Sequence, residues 1–302
     1  MSSRVLRLGA HVLCLVLSLA CLPLAAADDG GRALDILLTN DDGFRAPGIE
    51  ALQAALAAAG HHVTMVAPRE NQSGASWRIS TGPVKYREES PGVWAVDGSP
   101  ADAAAVGLRV IYAGRAPDLV VSGVNLGENV GATANVSGTI GAALMAEYLG
   151  VPAIAVSVGM DLDEKNATPP FPSTTAAFPA CASFTAELVQ RIAATAGPGS
   201  LLPPDTVLNV NYPVVPAGAP RGVRVAPSGR YSAFSYDYVP TGEDGEVRLA
   251  FTAEPRAATE QGSDTQLFDA GYVTISAIDG ALAAEQGAQR QMTRRLEALE
   301  QP

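Results

Sequence analysis

Apolar positions run along this chain in short blocks divided by polar turns. Leu34 to Thr39 is a mostly apolar run of strand length, Gly48 to Ala59 repeats Ala and Leu at helical spacing, and His62 to Ala67 is a second apolar run. Strand, helix and strand in that order predict a parallel sheet with right-handed crossovers. The alternation continues, with strands predicted at Val93 to Val96, Asp118 to Val121, Ala153 to Ser157 and Val207 to Asn211. Helices are predicted at Ala101 to Tyr112, Thr139 to Leu149 and Thr174 to Ala194, the last interrupted by Pro179. The expected fold class is α/β, a Rossmann-like, doubly wound and mostly parallel sheet.

After Pro213 the pattern changes to short segments separated by turns. Val223 to Ala226, Tyr231 to Val239 and Val247 to Thr252 predict a smaller antiparallel C-terminal extension within 214–262. A strand at Tyr272 to Ile278 and a helix from Leu282 to Leu299 follow, and no internal repeat is present. Asp161 to Ser173, with Pro169, Pro170 and Pro172 among its charges, reads as a surface loop. The first 27 residues place Arg4 and Arg7 before an apolar stretch, Leu8 to Leu22, and end in Ala25-Ala26-Ala27. That order is a secretory signal peptide, 1–27, cleaved after Ala27. It leaves 28–302 as a single domain, exported to a bacterial periplasm or secreted, with no membrane attachment once the signal is removed.

Composition narrows the chemistry. With 47% hydrophobic and 17% charged residues the chain is globular, not disordered. Only Lys85 and Lys165 are lysines and neither follows a glycine, so no phosphate loop ending in Gly-Lys-Ser/Thr exists. The net charge of −11 becomes −13 when Arg4 and Arg7 leave with the signal, and no basic run offsets it, so a nucleic-acid duplex is repelled. Of three histidines, His11 lies in the signal and His61 and His62 are adjacent, which supports neither a histidine metal motif nor a Ser/His/Asp triad. Cys181 alone remains of three cysteines, so no intrachain disulfide forms. Carboxylates, amides and hydroxyls must carry any reaction.

Ligands of an open parallel sheet collect beyond the carboxyl ends of its strands. Three such places stand out. Asn40-Asp41-Asp42-Gly43 follows an apolar strand directly, and a divalent cation would relieve the repulsion between its adjacent carboxylates; ordinary turn chemistry is the alternative reading. The loop Pro68 to Ser76 offers the Ser73 hydroxyl and backbone N–H groups around Gly74 to an anion, or is simply a loop. Ser122-Gly123-Val124-Asn125-Leu126-Gly127-Glu128-Asn129-Val130-Gly131 and Ser137-Gly138-Thr139 combine an amide oxygen at Asn125 with a helix start suited to phosphate, although Ser137 also reads as a plain helix cap.

Together these segments resemble the SurE survival-protein family of metal-dependent nucleotidases and acid phosphatases. The motifs are Leu37 to Gly43 with Ala46-Pro47-Gly48, Ala67-Pro68 through Ser76, Pro117-Asp118 through Gly127, and Ser137-Gly138-Thr139. Weaker echoes lie in Leu208 to Pro213, Ser263-Asp264-Thr265 and Asp269 to Ile275. The resemblance implies one divalent cation, Mg²⁺ or Mn²⁺, held by Asp41, Asp42, Ser73 and Asn125. It places Gly74, Asn129, Ser137, Gly138 and Thr139 near the substrate phosphate, makes Asp41 and Asp42 catalytic, and makes Asp41 the better candidate to orient the attacking water. The implied reaction is hydrolysis of nucleoside monophosphates, small-molecule phosphate monoesters, by a homodimer or homotetramer. Val136 and Met145-Ala146 depart from the family pattern, as does Trp77-Arg78-Ile79-Ser80.

Two other readings have support. A nucleotide- or phosphate-binding protein without turnover is motivated by Val136 and Met145. A sugar-nucleotide glycosyltransferase is motivated by Ala58-Ala59-Gly60-His61-His62-Val63-Thr64, but it needs a second nucleotide-binding half. Export is checked directly: amino-terminal sequencing of the protein recovered from the periplasm is expected to begin at Asp28, and a chain still beginning at Met1 overturns the signal-peptide reading.

Overall fold

The structure is a computed structural model and describes residues 32–296 except 198, 216–217, 233, 254–259 and 282–285. Eleven strands are described. They are β1 Asp35–Thr39, β2 His62–Pro68, β3 Tyr86–Ser90, β4 Val93–Val96, β5 Leu119–Leu126, β6 Ala153–Val158, β7 Val207–Tyr212, β8 Val223–Val225, β9 Phe234–Pro240, β10 Val247–Ala253 and β11 Val273–Ile278. Nine form one sheet in the order β3-β4-β2-β1-β5-β6-β7-β11-β8, while β9 and β10 pair separately as an antiparallel hairpin. Within the large sheet only β3–β4 and β7–β11 run antiparallel.

The helices are α1 Pro47–Ala58, α2 Pro100–Val106, α3 Gly138–Tyr148, α4 Pro172–Thr195, α5 Asp264–Asp269 and α6 Gln286–Leu296. The period-2 alternation of each strand divides the core. Ile36 and Leu38 of β1 pack with α1 and α4 through Ile49, Leu52, Phe178 and Val189. Leu37 points the other way, to Ala103 of α2 and Ile140 and Ala143 of α3. Both faces of the central strands are therefore dry, and their sequences read as unbroken apolar runs. α1 begins close to the sheet: a Cβ on Gly48 would lie 2.0 Å from the carbonyl oxygen of Val124.

Several expectations change. β3, Tyr-Arg-Glu-Glu-Ser, lies outside the predicted strands because it is a polar, largely exposed edge strand with no apolar alternation to read. β5 continues to Leu126 instead of ending at Val121, with a register shift against β6 between Ser122 and Asn125. The segment read as a loop thus begins as strand. α4 is not interrupted at Pro179: it buries Thr174, Phe178, Cys181, Ala182, Thr185, Ala186 and Val189, and that burial offsets the roughly 3 kcal/mol cost of an interior proline. The antiparallel extension is smaller than predicted, since β8 joins the large sheet parallel to β11 and only β9–β10 forms the hairpin. The predicted terminal helix appears as α6, with 282–285 and 297–299 outside the described residues. The described residues form one compact unit.

One buried side chain ties the later segments together. Asp264 at the start of α5 is fully buried and accepts N–H groups from Gly131 at 3.2 Å, Gly229 at 2.7 Å and Thr265 at 2.7 Å. Removing that acceptor leaves buried donors unsatisfied, at about 1–3 kcal/mol each. Asp264→Ala is expected to lower the urea unfolding free energy by roughly 2–4 kcal/mol, and a loss within the error of the measurement would show the carboxylate to be dispensable.

Candidate functional site

Asp41 and Asp42 leave the carboxyl end of β1 in the middle of the sheet. The turn is set by buried Asn40, whose amide donates to the Gly43 carbonyl at 2.8 Å and whose Oδ1 accepts the Gly43 N–H at 3.2 Å. The Asp41 carbonyl accepts the Gln72 N–H at 2.7 Å, which brings the loop after β2 against the loop after β1. A cavity of about 290 Å³ opens here, lined by Asp41, Asp42, Ser73, Gly74, Asn125, Asn129 and Ser137 among others. The structure therefore brings together the three segments singled out in the sequence.

The two carboxylates have different surroundings. Asp41 is buried, and its Oδ1 accepts the Thr139 hydroxyl at 2.6 Å. Burial pushes its carboxyl above the usual range, opposed by the Thr139 hydroxyl and by backbone N–H groups that include those of Thr139 and Gly138. Asp42 is partly exposed, with Oδ2 accepting the Leu126 N–H at 3.1 Å and Oδ1 accepting the Asn71 amide at 3.3 Å. Burial, and after it the charge of Asp41, push Asp42 up to about 7. Among the described residues no Lys, Arg or His lines the cavity to compensate them.

Around this pair, the Asn125 amide donates to the Gly127 carbonyl at 2.6 Å, and Asn125 lines the cavity. Ser137 caps α3 by accepting the Ile140 N–H at 3.2 Å, so its hydroxyl hydrogen is available to a ligand. Asn129 is fixed by buried polar side chains: its N–H donates to Asn211 Oδ1 at 2.7 Å and its amide to Ser157 Oγ at 2.8 Å. Ser73 and Gly74 are exposed on the facing loop. Gly138 and Thr139 stand behind Asp41 and do not line the cavity. A Cβ on Gly138 would fall 2.8 Å from Cβ of Asp41, so glycine here permits the close approach of α3 to the carboxylate.

The sequence did not reveal every contributor. Asn71 lay inside a noted loop without an assigned role, and the Leu126 N–H is a backbone donor with no side-chain signature. Glu128 is a buried carboxylate of the lining whose Oε2 accepts the Met160 N–H at 2.9 Å. Burial raises its proton affinity and the Met160 N–H opposes that. Met160, Phe171, Tyr236 and Leu249 reach the cavity from distant segments, and none stands in a pattern that marks a site.

Comparisons with known proteins agree on one lineage. The profile of the family described as Survival protein SurE matches residues 36–234. The 5'-nucleotidase SurE of Methylocella silvestris is 40% identical over 197 residues, covering 65% of this chain and 73% of that protein. The 5'-nucleotidase SurE of Symbiobacterium thermophilum is 37% identical over 254 residues, covering 80% and 91%. The crystal structure of the SurE protein from Aquifex aeolicus matches with a TM-score of 0.68 and 30% identity, covering 88% of this chain and 99% of that one.

The carboxylate pair has a consequence for stability. An unfolded Asp42 ionises near 3.8, so between about pH 4 and about 7 the folded protein keeps a proton that the unfolded chain has lost. Stability with chelator present is therefore expected to fall as pH rises through that window, and Asp42→Asn is expected to flatten the fall. Urea midpoints at pH 5 and 8 check this; equal slopes in the two proteins would refute it.

Proposed function

This chain belongs to the SurE survival-protein family, and from that premise we propose that it is a metal-dependent phosphomonoesterase that hydrolyses nucleoside monophosphates to nucleoside and phosphate. The observation that carries the reading is the pair of adjacent carboxylates, Asp41 and Asp42, at a cavity that among the described residues has no basic side chain in its lining. Relatives named 5'-nucleotidase SurE support the substrate class.

Among the described residues no group of three or more His, Cys, Asp or Glu is disposed to hold a metal. A cation here would be held by a mixed oxygen set: the two carboxylates, the Ser73 hydroxyl and Asn125 Oδ1. Those hard donors suit Mg²⁺ or Mn²⁺. When bound, such a cation polarises the phosphoryl group and lowers the pKa of water.

The chain's own residues supply orientation. Asp41, one oxygen fixed by Thr139, holds the attacking water and accepts its proton. The start of α3, with the Ser137 hydroxyl, donates to phosphate oxygens, and its partial positive charge favours the anion there. Gly74 and Asn129 line the same cavity. Export to the periplasm is part of the proposal, supported by the signal-like order of residues 1–27. So is assembly into a homodimer or homotetramer, supported by the apolar surface of the hairpin, where Tyr238 is 67% and Val247 55% exposed.

Phosphate release from a panel of nucleoside monophosphates tests the reading, after chelation and again with Mg²⁺ or Mn²⁺ restored. Turnover is expected only with the cation, and Asp42→Asn is expected to lower kcat roughly 10²-fold or more. A folded protein that binds the cation yet releases no phosphate from any substrate would be a binding protein instead.

A further inference from the structure

Two proton transfers accompany the hydrolysis of an alkyl phosphate monoester, and the residues considered so far account for one of them. Asp41 takes a proton from the attacking water. The ester oxygen, which leaves as a strongly basic alkoxide unless it is protonated, needs a donor of its own. Among the described residues the cavity has no Lys, Arg or His, which leaves a carboxyl or a phenol as the acids of its lining.

Glu128 is the third carboxyl of this cavity, beside Asp41 and Asp42. It is 7% exposed, and among the described residues no cation pairs with it. A buried carboxylate without a counter-charge is costly, and such a group takes up a proton instead. What holds it is neutral: Oε2 accepts the Met160 N–H at 2.9 Å. Burial raises its proton affinity, its own N–H and that of Met160 oppose the rise, and the charge of Asp269 at the end of α5 adds to it. Tyr236 of β9 is the other acid of the lining, and burial and the charge of Glu128 push its phenol upward. The same surroundings thus move a carboxyl toward neutral pH and a phenol away from it, and a proton donor works best near the operating pH.

Position separates Glu128 from the aspartate pair. Asp41 and Asp42 follow β1, whereas the Glu128 carboxyl is fastened to Met160, just beyond the end of β6, and β5 lies between those two strands. Neighbouring strands lie about 4.8 Å apart, so β1 and β6 are separated by about 10 Å. In keeping with that spacing, among the described residues the three carboxyls do not form a group able to hold one metal ion. Phosphoryl transfer places the entering and the leaving oxygen roughly in line, on opposite sides of phosphorus. A base after β1 and an acid beside β6 suit that arrangement.

We propose that Glu128 is the general acid of the reaction, a catalytic residue that protonates the leaving oxygen. This role rests on the phosphomonoesterase reading of the cavity and completes its proton balance. The water oxygen bonds to phosphorus as Asp41 accepts the water proton, the bond between phosphorus and the ester oxygen breaks, and the electron pair left on that oxygen takes the proton of Glu128. Alcohol and inorganic phosphate result. The Met160 N–H is in place to receive the negative charge that Glu128 acquires, and proton exchange with solvent returns both carboxyls to their starting states.

Leaving groups of different basicity test the assignment. Steady-state kinetics on the metal-loaded protein compare AMP, whose ribose oxygen needs a proton, with p-nitrophenyl phosphate, whose phenolate departs without one. Glu128→Gln keeps the shape of the side chain and an acceptor for the Met160 N–H. Its kcat is expected to fall roughly 10²-fold for AMP and to stay within about threefold for p-nitrophenyl phosphate. Equal losses on the two substrates mark a residue that only holds the end of β6 and overturn the assignment, as does an unchanged rate with AMP. Tyr236→Phe is expected to leave the ratio of the two rates as it is. A fall in that ratio for Tyr236→Phe, with none for Glu128→Gln, gives the proton to the phenol and also overturns it. If the unaltered protein hydrolyses neither monoester, the phosphomonoesterase reading itself fails, and the acid with it.

Discussion

The repulsion between two adjacent carboxylates is the constraint around which this molecule is arranged. Asp41 and Asp42 are carried by the most buried part of the sheet, where solvent screens them least. Each has donors that come from somewhere else in the chain: the Thr139 hydroxyl for Asp41, the Leu126 N–H and the Asn71 amide for Asp42. Three crossovers must end correctly for those donors to meet. The sheet order β2-β1-β5-β6 accomplishes this by collecting the loops after β1, β2 and β5 and the start of α3 at one edge.

This dependence explains which parts of the structure were legible in the sequence. Strands such as β1 and β6 are buried on both faces, so their apolar runs have no competing interpretation. Asp41, Asp42, Ser73, Asn125 and Ser137 were legible as well, because each sits at a place where an open parallel sheet gathers ligands. Polar strand β3 was not legible, since an edge strand needs no apolar face. The β8 pairing escaped for another reason: three residues carry too little pattern to say which sheet they join.

The apolar half of the cavity was invisible for a deeper reason. Phe171 lies in a proline-rich loop and Tyr236 in a hairpin, separated from Asp41 by well over a hundred positions. Neither has a local pattern that marks it, and only the completed fold puts them beside the carboxylates. Thr139 illustrates the converse. Its motif pointed to phosphate, but one hydrogen bond makes it the support for Asp41, a distinction that spacing along a chain does not encode.

Asp264 joins pieces that sequence distance would keep apart. By accepting from Gly131 and Gly229, it fastens the turn before Ser137 to the strand approach of the hairpin, and the Tyr231 carbonyl adds a contact from the Thr265 hydroxyl at 3.3 Å. The segment that leads into α3 and the segment that leads into β9 therefore share one buried acceptor. One buried carboxylate thus serves two segments at once, and neither the approach to α3 nor the approach to the hairpin is satisfied without it.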